Sequence, residues 1–132
     1  MSNEYKDYYD DLYCEFEDRV DILDNLPDGW VSSFIPALKE ELFNMLGSYV
    51  ENFEIMDAKE KWGELRVAWC WSDREYSALE IEDMNDLCDR IEDMLEKYMS
   101  ISRRTCAKCG KRTVSYSSKY ELPICDECGN DF

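Results

Sequence analysis

The segments CAKCG (residues 106–110) and CDECG (residues 125–129) share one pattern, in which two residues separate a pair of cysteines and a glycine follows. Fifteen residues separate the two pairs, a spacing that is typical of four-cysteine metal sites. A two-residue gap lets one tight turn direct both sulfurs at the same ion, and two such turns complete a tetrahedron. We therefore predict a zinc ion held by Cys106, Cys109, Cys125 and Cys128.

The predicted metal is structural, because four protein ligands leave no open position for a catalytic water. Between the cysteine pairs, residues 113–116 and 120–122 are predicted as two short strands, which makes residues 102–132 a zinc ribbon. Gly110 and Gly129 are expected to take positive φ angles that turn the chain away from the sulfurs. Such a short segment buries little apolar surface, so metal binding, on the order of 10–16 kcal/mol, would supply its folding free energy.

Two disulfides are the competing interpretation of the four cysteines. Three further cysteines, Cys14, Cys70 and Cys88, lie in apolar patterns and are predicted to be buried thiols. The amino-terminal residues are acidic and tyrosine-rich, unlike a secretory signal. Free cysteines without an export signal favour the reducing cytoplasm, and therefore zinc over disulfides.

The residues before the cysteine pairs predict an α+β body over 1–101, with helices packed on a small antiparallel hairpin. Apolar residues three and four positions apart predict helices over 4–24 and 30–47. Ser33 is a candidate N-cap of the second helix, which has Pro36 in its first turn. Gly47 is its expected terminator.

A change to period-two alternation predicts a β-hairpin with strands over 53–60 and 64–71. Phe53, Ile55 and Asp57 are expected to alternate with Glu54 and Met56, and the face of the second strand that carries Leu65, Val67, Trp69 and Trp71 is expected to be the core side. A capping box, Ser77-Ala78-Leu79-Glu80, then predicts the start of a long helix that reaches residue 101 and leads into the ribbon. Its expected apolar stripe is Leu79, Met84, Leu87, Cys88, Ile91, Leu95 and Tyr98.

Charge is divided unequally along the chain, whose net charge is -16. Residues 1–96 carry 27 acidic and 8 basic side chains, whereas residues 97–120 carry 7 basic and no acidic ones. Such a body repels nucleic acid and attracts cationic partners.

No apolar run approaches the roughly 20 residues that span a bilayer, so we expect no membrane contact. The absence of histidine excludes Ser-His-Asp and Cys-His catalysis, and we expect no enzymatic activity.

The chain resembles a loose group of small, mostly uncharacterised bacterial and phage proteins. The similarity covers about residues 28–110 and lies in the Gly29-Trp30 helix start, the hairpin sequence EKWGELRV (residues 60–67) and the cysteine pair that follows a long helix. The resemblance implies a phage or mobile-element setting and no particular catalytic activity.

The first functional hypothesis is a non-enzymatic protein that binds and inhibits a host protein with a basic surface, for example by mimicking nucleic acid in an anti-defence role. Its candidate binding residues form an acidic strip in the first predicted helix: Asp7, Asp10, Asp11, Glu15, Asp18 and Asp21. A second strip follows the long helix: Glu82, Asp83, Asp86, Asp89, Asp93 and Glu96. Two solvated helix faces would give the same pattern.

Two alternatives remain open. The ribbon could bind nucleic acid or regulate transcription through its basic residues beside Tyr116 and Tyr120, namely Arg103, Arg104, Lys108, Lys111, Arg112 and Lys119. More remotely, Asp57 and Lys59 on a strand, with Asp28 upstream, suggest a Mg²⁺-dependent nuclease.

Overall fold

The computed structural model of the protein describes residues 2–72 and 78–129, with side chains over residues 11–72 and 80–129. In chain order the elements are α1 (Ser2–Arg19), a 3-10 helix (Asp21–Asn25), α2 (Asp28–Ser33), α3 (Ile35–Leu46), a second 3-10 helix (Gly47–Asn52), β1 (Phe53–Lys61), β2 (Glu64–Trp71), α4 (Ala78–Ser102), β3 (Tyr116–Ser117), β4 (Leu122–Pro123) and α5 (Asp126–Gly129). The α+β class is confirmed, with helices around a two-stranded antiparallel sheet and the long α4 followed by the cysteine cluster.

The first predicted helix, 4–24, is wrong at its carboxyl end, since α1 stops at Arg19 and the chain continues as a 3-10 helix. Val20, Leu23 and Leu26 are all buried. The three-residue turn of a 3-10 helix places residues three apart on one side, so all three side chains reach the core.

The predicted helix 30–47 is two helices, α2 and α3, separated at Phe34. Pro36 explains the break, because it lacks an N–H and its ring would clash with the carbonyl four residues earlier in a continuous helix. The predicted Ser33 cap is wrong: the Ser33 hydroxyl donates to the Trp30 carbonyl at 3.5 Å, and Phe34 takes the N-cap position. Gly47, at φ 54°, ends α3 as predicted.

The β-hairpin is confirmed, with β1 and β2 paired from Phe53↔Trp71 to Lys61↔Glu64. A bulge between Ile55 and Asp57 inserts one residue into β1. The extra residue reverses the alternation of the strand, so that Ala58 is buried while Asp57 is exposed. The alternation predicted to continue from Ile55 to Asp57 therefore breaks at the bulge.

Helix α4 covers the sheet with the predicted stripe, of which Met84, Leu87, Ile91 and Tyr98 are buried. Cys88 and Leu95 are half-buried, and Met94, which the sequence analysis missed, is 4% exposed. The capping box predicted at Ser77 lies outside the described residues, as does the side chain of Leu79. No described helix combines the length and apolar character that membrane crossing requires.

Glu41 joins α3 to α4 through three hydrogen bonds. Its carboxylate accepts from Lys97 Nζ at 2.7 and 2.8 Å and from the Tyr98 hydroxyl at 2.6 Å. These hydrogen bonds hold the pKa of Glu41 below its ordinary value. The bonds from Lys97 lower it most, and the bond from Tyr98 comes second. Burial, reinforced by the same bond, raises the pKa of Tyr98. Ionised Glu41 therefore stabilises the folded state.

Replacing Glu41 with Gln tests this link. A charged hydrogen-bond acceptor is worth about 1.5–3 kcal/mol when buried, and solvent screening at this half-exposed site reduces the expected loss at pH 7 to about 1 kcal/mol. Because the folded pKa is depressed, the contribution is present above the unfolded value of about 4.3 and disappears as the pH falls through the folded pKa. Urea unfolding of the wild type and Glu41→Gln should therefore converge below about pH 4. The exposed neighbour variant Glu40→Gln serves as the control, and an equal loss in both variants would contradict the assignment.

Candidate metal centre

The four predicted cysteines come together. Their sulfurs all lie within 4.8 Å of one another, and Cys109 Sγ lies 3.7 Å from Cys125 Sγ. A tetrahedral centre with metal–sulfur bonds of about 2.3 Å has sulfur–sulfur edges of about 3.8 Å. All seven cysteines are free thiols, so the competing disulfide interpretation does not hold. The cluster has the size and donor set for one metal ion.

Short backbone hydrogen bonds shape the two turns that carry these sulfurs. The Gly110 N–H donates to the Cys106 carbonyl at 2.9 Å, and the Gly129 N–H donates to the Cys125 carbonyl at 2.8 Å. Gly110 has φ 83°, as predicted, whereas Gly129 ends the short helix α5 without a positive φ. The prediction for Gly129 is wrong because a helical turn, and not a left-handed residue, orients the second pair.

The hairpin between the cysteine pairs is shorter and lies further along the chain than predicted. It consists of β3 and β4, paired through Tyr116↔Pro123 and Ser117↔Leu122. Glu121 closes it at φ 57°. Next to it, the Ile124 N–H donates to the Ser115 carbonyl at 3.2 Å, and the Ala107 N–H donates to the Pro123 carbonyl at 2.8 Å, which joins β4 to the first cysteine turn.

The thiols differ in how readily they ionise. Burial opposes ionisation of Cys106, but backbone N–H groups of Cys109, Cys125 and Lys108 outweigh it and lower its pKa to about 6. The pKa of Cys128 is raised to about 12, mainly by its hydrogen bond with Cys125. Desolvation and the other two thiols raise this pKa further. One thiolate therefore forms easily and opposes the next, so four thiolates require a cation among them.

The first cysteine turn rests directly on the start of α2. The Gly29 N–H donates to the Ala107 carbonyl at 2.8 Å, and the Trp30 indole N–H donates to the Thr105 carbonyl at 3.0 Å. Trp30 is completely buried. A Cβ added to Gly29 would lie 2.1 Å from the Cys106 carbonyl oxygen. The sequence did not predict this contact between α2 and the first cysteine turn. The Gly29-Trp30 helix start was identified only as part of the resemblance.

The three remaining cysteines are not the buried thiols that the sequence predicted. Cys14 is exposed, and Cys70 and Cys88 are half-buried. Cys14 lies two residues before the buried Phe16, about 200° away around the helix. The Trp71 indole lies 3.2 Å from Cys88 Sγ and donates a hydrogen bond to it.

Most of the predicted acidic binding residues are exposed. Asp11, Glu15 and Asp18 are exposed on α1, and Asp21 is exposed on the 3-10 helix that follows. The side chains of Asp7 and Asp10 lie outside the described part of the chain. All six predicted acids of α4 are exposed: Glu82, Asp83, Asp86, Asp89, Asp93 and Glu96.

The six basic residues predicted to bind nucleic acid lie in different environments. Arg103 Nε pairs with Glu64 at 2.7 Å, Lys111 lies 3.7 Å from Glu127, and Lys119 lies over the Tyr120 ring. Lys108 lines a cavity with Asp28 and Tyr120. Arg104 and Arg112 instead line a different cleft and form no ion pair with any described residue.

The residues of the nuclease alternative lie on two different elements. Asp57 pairs with Lys59 at 3.5 Å on the exposed side of β1, and Asp28 begins α2. Among the side chains of residues 11–72 and 80–129, the four cysteines are the one group of three or more possible ligands close enough to share a metal ion.

No protein-family model, curated protein or solved structure matches this chain. The resemblance to the bacterial and phage group therefore stays a prediction. The interpretation of the cysteine centre depends on its own geometry.

Cys125→Ser should abolish stoichiometric metal binding and unfold the backbone around the cysteine turns. The reason is that metal binding, on the order of 10–16 kcal/mol, exceeds what so few buried residues can replace. Elemental analysis of purified protein measures the metal, and amide NMR over residues 105–125 reports the fold. Cys70→Ser is the matched control and should keep both. Full metal content with an unchanged melting curve in Cys125→Ser would refute the assignment.

Gly29→Ala should weaken the docking of the first turn on α2. Its Cβ would lie 2.1 Å from Cys106 O and 2.6 Å from Gly110 N, both backbone atoms with little freedom to move. We expect a loss of about 3 kcal/mol or more in the free energy of unfolding, measured with urea.

Gly129→Ala provides the comparison, because its nearest neighbour would be 4.0 Å away. A Gly29→Ala protein as stable as this control would show that the contact between α2 and the turn is not required.

Proposed function

We propose that this protein is a non-enzymatic binding protein, in which a structural zinc ion stabilises the carboxyl-terminal segment and acidic helix faces bind a protein with a basic surface. A host protein that normally binds nucleic acid is the proposed target, in keeping with a phage or mobile-element origin in the cytoplasm. The observation that carries the proposal is a stripe of unpaired carboxylates along α4.

The α4 stripe consists of five exposed acids at steps of four and three residues: Glu82, Asp86, Asp89, Asp93 and Glu96. At about 100° per residue they fall within an arc of about 80°, opposite the buried Met84, Ile91 and Tyr98. At about 1.5 Å per residue the stripe is about 21 Å long. None of the five forms an ion pair with a described residue.

The chain contains cations that pair with carboxylates elsewhere. Lys39 pairs with Asp24 at 2.8 Å, and Lys97 pairs with Glu41 at 2.7 Å. The α4 stripe is left uncompensated in a chain where pairing is common. Repulsion along such a stripe costs stability, and a cationic partner would relieve that cost.

The spacing of the stripe supports mimicry of nucleic acid. Five carboxylates over about 21 Å give one charge per about 5 Å, near the one phosphate per about 3.4 Å along one strand of duplex DNA. On α1, Asp11, Glu15 and Asp18 repeat the same step pattern over a shorter length. A groove that binds a phosphate backbone could accept either stripe.

Zinc is the metal that we propose for the cysteine centre. Four thiolates in a tetrahedral arrangement favour zinc or an iron–sulfur centre over oxygen-preferring cations. The fifteen-residue separation of two two-residue turns is typical of zinc ribbons. With all four positions taken by sulfur, the ion organises the fold and has no site for substrate.

The nucleic-acid-binding alternative has less support from the contacts. Arg103 and Lys111, two of its six basic residues, already lie against Glu64 and Glu127. Each pairing lowers the positive charge available for phosphate contacts, and the acidic body opposes approach of a polyanion.

The acidic-stripe hypothesis predicts a specific loss on charge removal. Immobilised protein should retain a bacterial partner at low salt, release it at high salt, and lose it to competing duplex DNA, because all three depend on the same charges. The triple variant Asp86→Asn, Asp89→Asn, Asp93→Asn should reduce retention at least about tenfold.

The matched control is Glu40→Gln, Glu51→Gln, Glu54→Gln, which removes the same charge from exposed residues outside the stripe. Equal retention by both triple variants, or a captured partner that duplex DNA does not displace, would exclude nucleic-acid mimicry by α4.

A further inference from the structure

A cleft of about 360 Å³ lies where α3 begins, α4 ends and the first cysteine turn packs between them. The body contributes Ser33, Phe34, Ser100 and Ile101, and the segment around the cysteines contributes Arg104 and Arg112. Its volume is within the range of small-molecule sites, and its walls combine apolar side chains with a few polar groups.

The charge of this cleft is opposite to that of the rest of the molecule. The chain holds 31 acidic and 15 basic side chains, yet the cleft is lined by two arginines and no carboxylate. Neither arginine forms an ion pair within the described residues. Two arginines therefore line one cleft in a chain with a twofold excess of acids.

The backbone brings the two arginines together. Thr105 and Arg112 form an antiparallel bridge, and the Thr113 N–H donates to the Arg104 carbonyl at 2.8 Å. The Cys106 N–H also donates to the Lys111 carbonyl at 2.8 Å. These bonds belong to the first cysteine turn, so the turn holds both arginine backbones in adjacent positions.

The polar neighbours suit a phosphoryl group. The Thr105 hydroxyl is already used, since it donates to the Ile101 carbonyl at 2.8 Å. Ser100 and Ser33 are exposed and line the same cleft; Ser33 Oγ donates to the Trp30 carbonyl at 3.5 Å, whereas the Ser100 hydroxyl forms no hydrogen bond with a described residue. Guanidinium groups bind phosphate oxygens in bidentate fashion, and hydroxyls add single hydrogen bonds.

The apolar wall limits the rest of the ligand. Ile101 is 38% exposed, and Phe34 is almost fully buried beneath it. A ligand with an apolar or aromatic group attached to its phosphate can cover Ile101, whereas inorganic phosphate cannot.

We propose that this cleft binds a phosphate monoester with an attached apolar or aromatic group, of the size of a mononucleotide, through Arg104 and Arg112. The ligand is either a free small molecule or the terminal phosphate of a nucleic-acid strand. The cleft is separate from the acidic stripe of α4, and this inference does not depend on the proposed partner binding.

The test is calorimetric titration of the full-length metal-loaded protein with adenosine 5′-monophosphate, phenyl phosphate and inorganic phosphate. We expect the two esters to bind at least tenfold more tightly than inorganic phosphate. Arg104→Gln and Arg112→Gln should each weaken ester binding at least tenfold, and Arg112→Lys should retain only part of the affinity because it loses the bidentate contact.

Arg103→Gln is the matched control, because it removes the same charge from the adjacent residue, which pairs with Glu64 outside the cleft lining. Metal content and melting temperature of each variant show whether it is folded. Amide shifts at Ser33, Ile101 and Gly110 on titration locate the ligand in the wild type, which gives a readout independent of the variants.

Two further arms decide the source of the phosphate. The first arm compares a short single-stranded oligonucleotide that has a 5′-phosphate with the same oligonucleotide that has a 5′-hydroxyl. If the natural ligand is a strand end, the phosphorylated oligonucleotide should bind better than the hydroxyl form. In the second arm, if the natural ligand is a small molecule, the phosphorylated oligonucleotide should bind worse than adenosine monophosphate. No binding of either ester at millimolar concentration, or equal binding by wild type and both glutamine variants, would overturn the proposal.

Discussion

The contact between the first cysteine turn and the start of α2 is the constraint on which the rest of the structure depends. Gly29 lies so close to Cys106 and Gly110 that no side chain fits, and Trp30 donates from a fully buried position to the Thr105 carbonyl. A metal ion held by the four cysteines would order this turn and with it the surface on which α2 packs. Its binding free energy would then contribute to the stability of both the cysteine segment and α2.

Two surfaces of opposite charge result from this arrangement. The acids of α4 point away from the core because the buried stripe of the same helix occupies the other side. The end of α4, together with the first cysteine turn, leaves Arg104 and Arg112 facing a cleft without carboxylates. A bipolar molecule of this kind can bind a cationic partner and a small anion at separate places, since screening makes the two fields nearly independent beyond about 8–10 Å.

Most of the correct structural predictions came from local sequence patterns. Period-two alternation located both strands of the hairpin, and the glycine at position 47 marked the end of α3. The cysteine spacing identified all four residues of the cluster. The errors arose where packing overrode a local pattern. A bulge broke the alternation between Ile55 and Asp57, Pro36 divided one predicted helix, and a change to 3-10 geometry buried Val20 and Leu23 together.

Local sequence patterns were enough to predict the β1–β2 hairpin, the long helix α4, the four clustered cysteines and the separation of charge, because periodicity, turn residues and ligand spacing are properties of neighbouring positions. Only the tertiary structure decided that Gly29 fits under Cys106 and that Arg104 and Arg112 line one cleft with Ser33. These residues are distant along the chain, and no local pattern encodes their contacts. They meet because burial of Trp30 and Ile91 packs α2 and α4 in one core, while Gly29 and Trp30 donate hydrogen bonds to the first cysteine turn, whose own apolar cluster is separate.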